Sequence, residues 1–456
     1  MVRKLLAALI GVLLAASMIT ASGTGAQATG SHRTLRPIVF VHGYSGSGGQ
    51  FETPARRFAS NGYPAASIDV LEYDSTFVVA PLVQVQANLQ AKIEAILART
   101  GASQVDLVGH SLGTAVSQEY LNSSPQRAAQ VAHYVNIDGR SAAALPGGVP
   151  TLAIWAQLNP QGTIPGAQDL RLPGQGHTEA VSSPESFSAM YRFFTGREPR
   201  TTRIVPQFPG QVQLSGRALL FPSNVGVSNA RLDVYRVSAK TGQRLGARFS
   251  HGPAKPVASF ALSGDGSWGP FRASGSAHYE FAIVRGEQTH HVYFEPFRRT
   301  DRLIRLLTSE PGQGLDGITD KSDRSSNLIL TRYKEWWSDQ GEASDTLTVN
   351  GQSVLDGIAP RSKLAIALFT FDAGSDGVSH LGVPIPVLAS LPFLTGVDLF
   401  LPSFQPAAAG TPRGTISLVS QQRASGGTTH RVNVPNWPSA TDRISVQFDD
   451  YGQPRR

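Results

Sequence analysis

Between Val105 and Asn122 an apolar run, Val105-Asp-Leu-Val108, passes through Gly109-His-Ser-Leu-Gly113 directly into a segment of helical spacing. A strand that must turn into a helix within a residue leaves Ser111 at a sharp bend. Its hydroxyl is then thrust out of whatever sheet the strand joins, and the flanking glycines admit close backbone approach. This is the only Gly-x-Ser-x-Gly in the chain. Its place between strand and helix gives it weight, since the bare pattern is weak.

Around this bend the chain alternates. Pro37-Ile-Val-Phe-Val41 is a β-branched apolar run ending in His42-Gly43, Phe51 to Asn61 has helical spacing, and Ala65 to Tyr73 reads as a strand. Leu82, Val85, Leu89, Ile93 and Ile96 then mark a helix stopped at Gly101. Val131–Ile137 and Thr151–Ala156 supply two more buried strands. Ser183-Pro184 opens a last helix, with serine as cap and proline at the first helical position, and Gly196 ends it. The alternation predicts an α/β fold over residues 33–200, with a mostly parallel sheet between helices.

An activated serine needs a base. His32, His42, His110, His133 and His177 lie in this half. His32 precedes the first strand, His42 is in the first loop, His110 belongs to the bend, and His133 is inside a strand. Only His177 sits in a Gly-rich loop after the last strand, with the order serine before histidine that such a fold uses. Glu119, Asp138 and Asp169 are the only acids between Ser111 and His177. Glu119 is two helical turns beyond Ser111, and Asp169 enters from the far end of the sheet. Asp138 ends a strand at the same edge as Ser111, so it is the expected orienting acid, with Asp169 the fallback. The residues after the following strand, Gln157, Leu158 and Asn159, cannot serve. Backbone N–H groups of Leu112 and Tyr44 are the expected oxyanion donors. This chemistry requires no cofactor.

The first 28 residues are read as a signal peptide: Arg3 and Lys4, an apolar stretch from Leu5 to Ile19, and a small-x-small site at Ala26-Gln-Ala28. A secreted, extracellular protein is expected. With no cysteine, packing alone must stabilise it. The formal charge of +7 comes without a dense Lys/Arg run, so nucleic acid is not an expected partner.

Arg197 to Gly210 reads as a linker. Beyond it helical periodicity nearly vanishes, and short strands such as Arg231–Val237, His278–Val284, Leu364–Phe371 and Ile444–Phe448 alternate with turn residues. Residues 205–456 are therefore expected to form an all-β region of sandwich- or barrel-like modules, with an internal boundary near Thr300. Three weaker signals favour plain structural readings: a glycine-rich turn at Asp372–Gly377 rather than a calcium loop, core packing for Trp336-Trp337, and strands and loops over the almost uncharged Leu381–Leu401. The last could also line an acyl-chain surface.

Taken together, these residues resemble the Archaeoglobus lipase family, two-domain lipases with an α/β-hydrolase fold and a C-terminal β-barrel lipid-binding domain. The resemblance runs through Val39–Gly43, Gly48–Glu52, Arg57–Pro64, Val105–Gly113, Asn122–Pro125, Asp138-Gly139, Ser183–Phe187, Arg332-Tyr-Lys-Glu335 and Val446–Tyr451. It implies Ser111 as nucleophile, Asp138 as acid, His177 as base, and Tyr44 and Leu112 as oxyanion donors. It further implies hydrolysis of acylglycerol esters, with the β domain contributing to substrate and lipid contact. Between Tyr73 and Val105 this chain has no room for the family's helical lid, so short-chain esters or polyesters stand as alternative substrates. A lipid- or surface-binding protein with a vestigial hydrolase domain is the alternative of another class.

Overall fold

Strands joined through helices return in the same direction, and those of the N-terminal region pair in parallel. β1 (Ile38–Val41), β2 (Ile68–Leu71), β3 (Val105–His110), β4 (Val131–Ile137), β5 (Thr151–Trp155) and β6 (Gln168–Arg171) form one parallel sheet in the order β2-β1-β3-β4-β5-β6. The computed structural model describes residues 35–246, 254–403, 414–423 and 427–451. The expected signal peptide and His32 lie outside the described residues.

Alternate strand residues face opposite sides, and both sides are covered, which is why the strands are apolar almost throughout. Val39, Val41 and Leu107 pack against Val85, Leu89, Ile93 and Ile96 of α2 (Leu82–Thr100) and Tyr120 of α3 (Leu112–Ser123). Ile38, Phe40, Val108 and Ile154 pack on the other side against Phe58 of α1 (Glu52–Ser60) and against Phe187 and Met190, which belong to the helix Pro184–Thr195. Since β3 and β4 are adjacent, their carboxyl ends bring Ser111 and Asp138 to one edge of the sheet, where open α/β sheets place ligands.

The remainder is all-β. A nine-stranded sheet runs from Ala258–Leu262 to His380–Pro384, and its middle strand is Asp442–Gln447, the last among the described residues. That strand lies parallel to both Gln288–Phe294 and Leu328–Thr331, so the sheet is continuous through the whole region. Two smaller sheets pack on its opposite faces. The sheet containing Val212–Leu220 and Asp301–Thr308 meets the face bearing Val292 and Phe281. The sheet of Thr346–Val349, Thr415–Gln421 and Thr429–Pro435 meets the face bearing Tyr293, Leu330 and Val446. Trp336 is enclosed in that second core, and Trp337 is buried beneath the guanidinium groups of Arg423 and Arg361.

Candidate active site

Ser111 occupies a backbone conformation, φ 53° and ψ −123°, that a residue with a side chain rarely adopts. Strain of this kind costs about 1–3 kcal/mol and persists only where the surroundings enforce it. Here they do. The Ser111 N–H is tied to the carbonyl of Ile137 at 3.0 Å, and α3 leaves at once in the new direction. The bend sits tightly against β1: a Cβ on Gly113 would collide with the carbonyl of Val41. Leu112 is the first residue of α3, so its N–H has no acceptor within the helix.

The facing loop is a tight turn closed by Gly46 N–H on the carbonyl of Gly43 at 3.1 Å, with Tyr44 and Ser45 at its tip. Ser45 has φ 52°, and its N–H donates to Ser75 Oγ at 2.8 Å. That turn leaves the Tyr44 N–H outside its own hydrogen bond.

His177 and Asp138 meet at the same edge, with Nδ1 of His177 2.8 Å from Oδ2 of Asp138. Asp138 is fully buried, yet its carboxylate accepts three N–H groups besides: Ala156 at 2.8 Å, Leu158 at 2.9 Å and Asn159 at 3.0 Å. Burial works against the charge. The hydrogen bond and charge of His177, with the N–H groups of Ala156 and Leu158, outweigh it and hold the carboxyl below the usual range. The loop after β5, which has no acid to offer, thus supplies the acid's donors.

The other nitrogen of His177, Nε2, is buried without a hydrogen-bond partner, and His177 and Ser111 line the same cleft. His110 lies against His177, its ring centroid 4.4 Å from that of His177. Burial and the neighbouring His177 hold His110 well below the usual imidazole range, so it is neutral. Gln50 Nε2 donates to its Nδ1 at 2.8 Å, which leaves Nε2–H to donate to the carbonyl of His177 at 3.1 Å. The other candidates are elsewhere engaged. Asp169 accepts the indole N–H of Trp155 and pairs with Arg171, Glu119 pairs with Arg140, and His133 pairs with Asp106. His42 donates from Nδ1 to the carbonyl of Gly43, at the start of the Gly43–Gly46 turn.

The β region contributes further partners, of which only Glu335 falls in a stretch that the sequence had singled out. Asn224 Nδ2 donates to the carbonyls of Gly46 at 2.7 Å and Tyr73 at 3.0 Å. Arg305 pairs with Glu72, whose carboxylate accepts the N–H of Gly48. Glu335 accepts the N–H groups of Thr178 and Glu179, next to His177.

An apolar cleft of about 990 Å³ leads from Ser111 and His177 into the β region. Beyond the strand Asp301–Thr308, the long sheet turns Val292, Ile329, Thr331 and Ala367 towards it, and Phe221, Leu307 and Phe393 complete the walls. A second space of about 800 Å³ shares Phe221, Leu307, Ile329, Thr331, Ala367 and Leu394 with the first and continues to Phe369 and Phe371. Pro392 to Leu394, within the uncharged stretch of the sequence, do line the cleft. The Asp372–Gly377 segment is a turn closed on the Asp372 carboxylate, and no acidic or histidine cluster suited to a metal occurs among the described residues.

The N-terminal region has the alpha/beta hydrolase fold, and an all-β C-terminal region follows it. Residues 36–196 match the family model of the alpha/beta hydrolase fold, residues 210–311 that of the lipase C-terminal domain, and residues 314–452 a further C-terminal domain model. Similar solved structures include Aspergillus fumigatus lipase B, 14% identical over 38% of this chain and 55% of that one, with a TM-score of 0.29. Bacillus licheniformis lipase BlEst2 in its propeptide form is 12% identical over 88% and 92% of the two chains, with a TM-score of 0.27. Phospholipase PlaB from Legionella pneumophila is 8% identical over 91% and 93%, with a TM-score of 0.23.

Proposed function

We propose that the protein is a secreted carboxylic ester hydrolase, a lipase or esterase acting on acylglycerols through an acyl-enzyme. The carrying observation is the bond from Asp138 to His177 Nδ1, with Nε2 left unpartnered in the cleft that Ser111 also lines. Ser111 Oγ attacks the ester carbonyl as His177 Nε2 takes its proton. The N–H groups of Tyr44 and Leu112 receive the oxyanion. Collapse expels the alcohol, which leaves with the proton from His177, and water repeats the sequence on the acyl-enzyme. Asp138 keeps the tautomer and stabilises the imidazolium. The acyl chain lies in the apolar cleft, so the β region holds the substrate's tail.

A second reading, a short-chain esterase or polyester depolymerase, draws on the segment after β2. There Asp74 accepts the N–H groups of Thr76, Val78 and Val79, fixing a short loop with Val78 and Val79 exposed, where a lid would otherwise stand. An entrance without a cover favours substrates presented on a surface.

Hydrolysis of p-nitrophenyl esters from acetyl to palmitoyl, with Ser111→Ala alongside, tests both. A Ser111-dependent rate rising with chain length, with emulsified triolein also cleaved, supports the lipase. A peak at short chains with triolein untouched supports the second reading. Hydrolysis indifferent to Ser111 overturns the nucleophile, and none by the folded wild-type protein returns the binding-protein alternative. Secretion rests on Arg3 to Ala28 and is tested by N-terminal sequencing of the exported protein, expected to begin at Thr29.

A further inference from the structure

The residues directly after His177 are held by a side chain from the other half of the molecule. Thr178 N–H donates to Oε1 of Glu335, and Glu179 N–H donates to Oε2 at 3.2 Å. Glu335 is fully buried. On the near side of His177, a Cβ on Gly176 would collide with Oε2 of the same carboxylate. The loop and the glutamate are therefore fitted to each other on both sides of the histidine.

This anchor is itself anchored. The main-chain carbonyl of Glu335 receives Nη2 of Arg332 and Nη1 of Arg423. Arg423 also binds Glu179 at 2.5 Å and Asp345 at 2.7 Å, Arg332 binds Asp345 at 2.8 Å, and Lys334 binds Glu179 at 2.9 Å. An apolar side chain would seal this interface without the desolvation penalty that a buried carboxylate carries. What a carboxylate adds is two acceptors aimed at two successive main-chain N–H groups.

We infer that Glu335 is a positioning residue for the base, fixing the main chain around His177 so that Nδ1 stays on Asp138 while Nε2 faces the cleft. The inference rests on the reading of His177 as the base. A loop freed from this clamp can let the imidazole drift by about 1 Å, a displacement that costs on the order of a hundredfold in rate.

The test is Glu335→Gln. Its amide oxygen can accept one N–H, but its NH₂ group confronts the other donor with a donor. Hydrolysis of p-nitrophenyl butyrate is measured per active site, counted by exhaustive fluorophosphonate labelling. The expected result is a fall in kcat of roughly tenfold to a hundredfold with KM within about twofold. A merely structural role would lower the number of labelled sites and the melting temperature, leaving kcat per site unchanged, and that result overturns the proposal. Gly176→Ala presses on the clamp while leaving every charge in place, and it serves if Glu335→Gln does not fold. The same fall in kcat per site is expected, and a wild-type value overturns the proposal. Hydrolysis that survives His177→Ala would instead remove the base reading itself, so the two failures are distinct.

Discussion

His177 Nδ1 lies 2.8 Å from Asp138 Oδ2 across 39 positions of sequence, and the opposite nitrogen of the same ring has no hydrogen-bond partner. A ring held by one edge has its tautomer fixed and keeps the other nitrogen as an acceptor. Everything around it works to preserve that state. Three N–H groups accompany His177 on the Asp138 carboxylate, neutral His110 supports the His177 carbonyl, and a glutamate from the β region holds the following residues.

Asp138→Asn retains the shape of the acid but not its charge, and its NH₂ group would oppose either the N–H groups of Ala156 and Asn159 or those of Leu158 and His177 Nδ1, depending on which way the amide is turned. We expect kcat to fall by about 10³–10⁴ with the fold retained. Steady-state rates per labelled Ser111 and a far-UV spectrum check this; a loss below tenfold would exclude Asp138 as the orienting acid.

Asn224 is buried and ties the Gly43–Gly46 turn, which carries the proposed oxyanion donor Tyr44, to the β region through Gly46 and Tyr73. Asn224→Ala is expected to lower kcat between about tenfold and a hundredfold and to leave KM for a short ester nearly unchanged, because the loss is in placing the Tyr44 N–H. A change confined to KM would contradict it.

Ile329 lines the part of the cleft common to its inner and outer spaces. Ile329→Trp should block the passage. Palmitoyl and octanoyl esters are expected to lose about tenfold or more in kcat/KM while acetyl and butyryl esters change little, since a few methylenes are worth about 1–3 kcal/mol each way in such a pocket. Equal loss for all chain lengths would place the acyl chain elsewhere.

Glu280 is buried between Arg244 and His291, which is stacked on Trp437. Burial opposes its charge, but the hydrogen bonds and charges of Arg244 and His291 prevail and hold its carboxyl down to about 2. Its stabilisation is therefore complete above the ordinary value of 4.5 and is lost as pH falls through about 2. His291 is raised: burial opposes protonation, but Asp442 and Glu280 outweigh it. Its contribution is complete below the ordinary value of 6.5 and is lost as pH rises through the raised one. Glu280→Gln should thus cost most between pH 4.5 and 6.5, about 3–5 kcal/mol. Urea unfolding of both proteins across this range measures it; a gap that does not narrow towards pH 2 would contradict the assignment.

The features legible in the chain are those written in neighbouring residues. The alternation of period-2 and period-3.6 apolar runs specifies the parallel sheet and its helices, because burying one face requires that spacing. The Gly-x-Ser-x-Gly bend is legible for the same reason, its strain and its glycines lying within five residues. Asp138 and His177 could be singled out because few acids and histidines stand at the right ends of strands. In the β half, strands such as Val212–Leu220 and Leu394–Asp398 were not separately legible, since short apolar runs among glycines and prolines do not reveal which neighbour they pair with. It took the folded chain to reveal that Asp442–Gln447 enters the middle of the long sheet, that Asn224 reaches Gly46, that Glu335 meets Thr178, and that Ile329 and Phe393 share a wall with Ser111. Each is a meeting of residues far apart in the chain. It is set by the register of strands and the packing of whole sheets, for which no short stretch of sequence carries a mark.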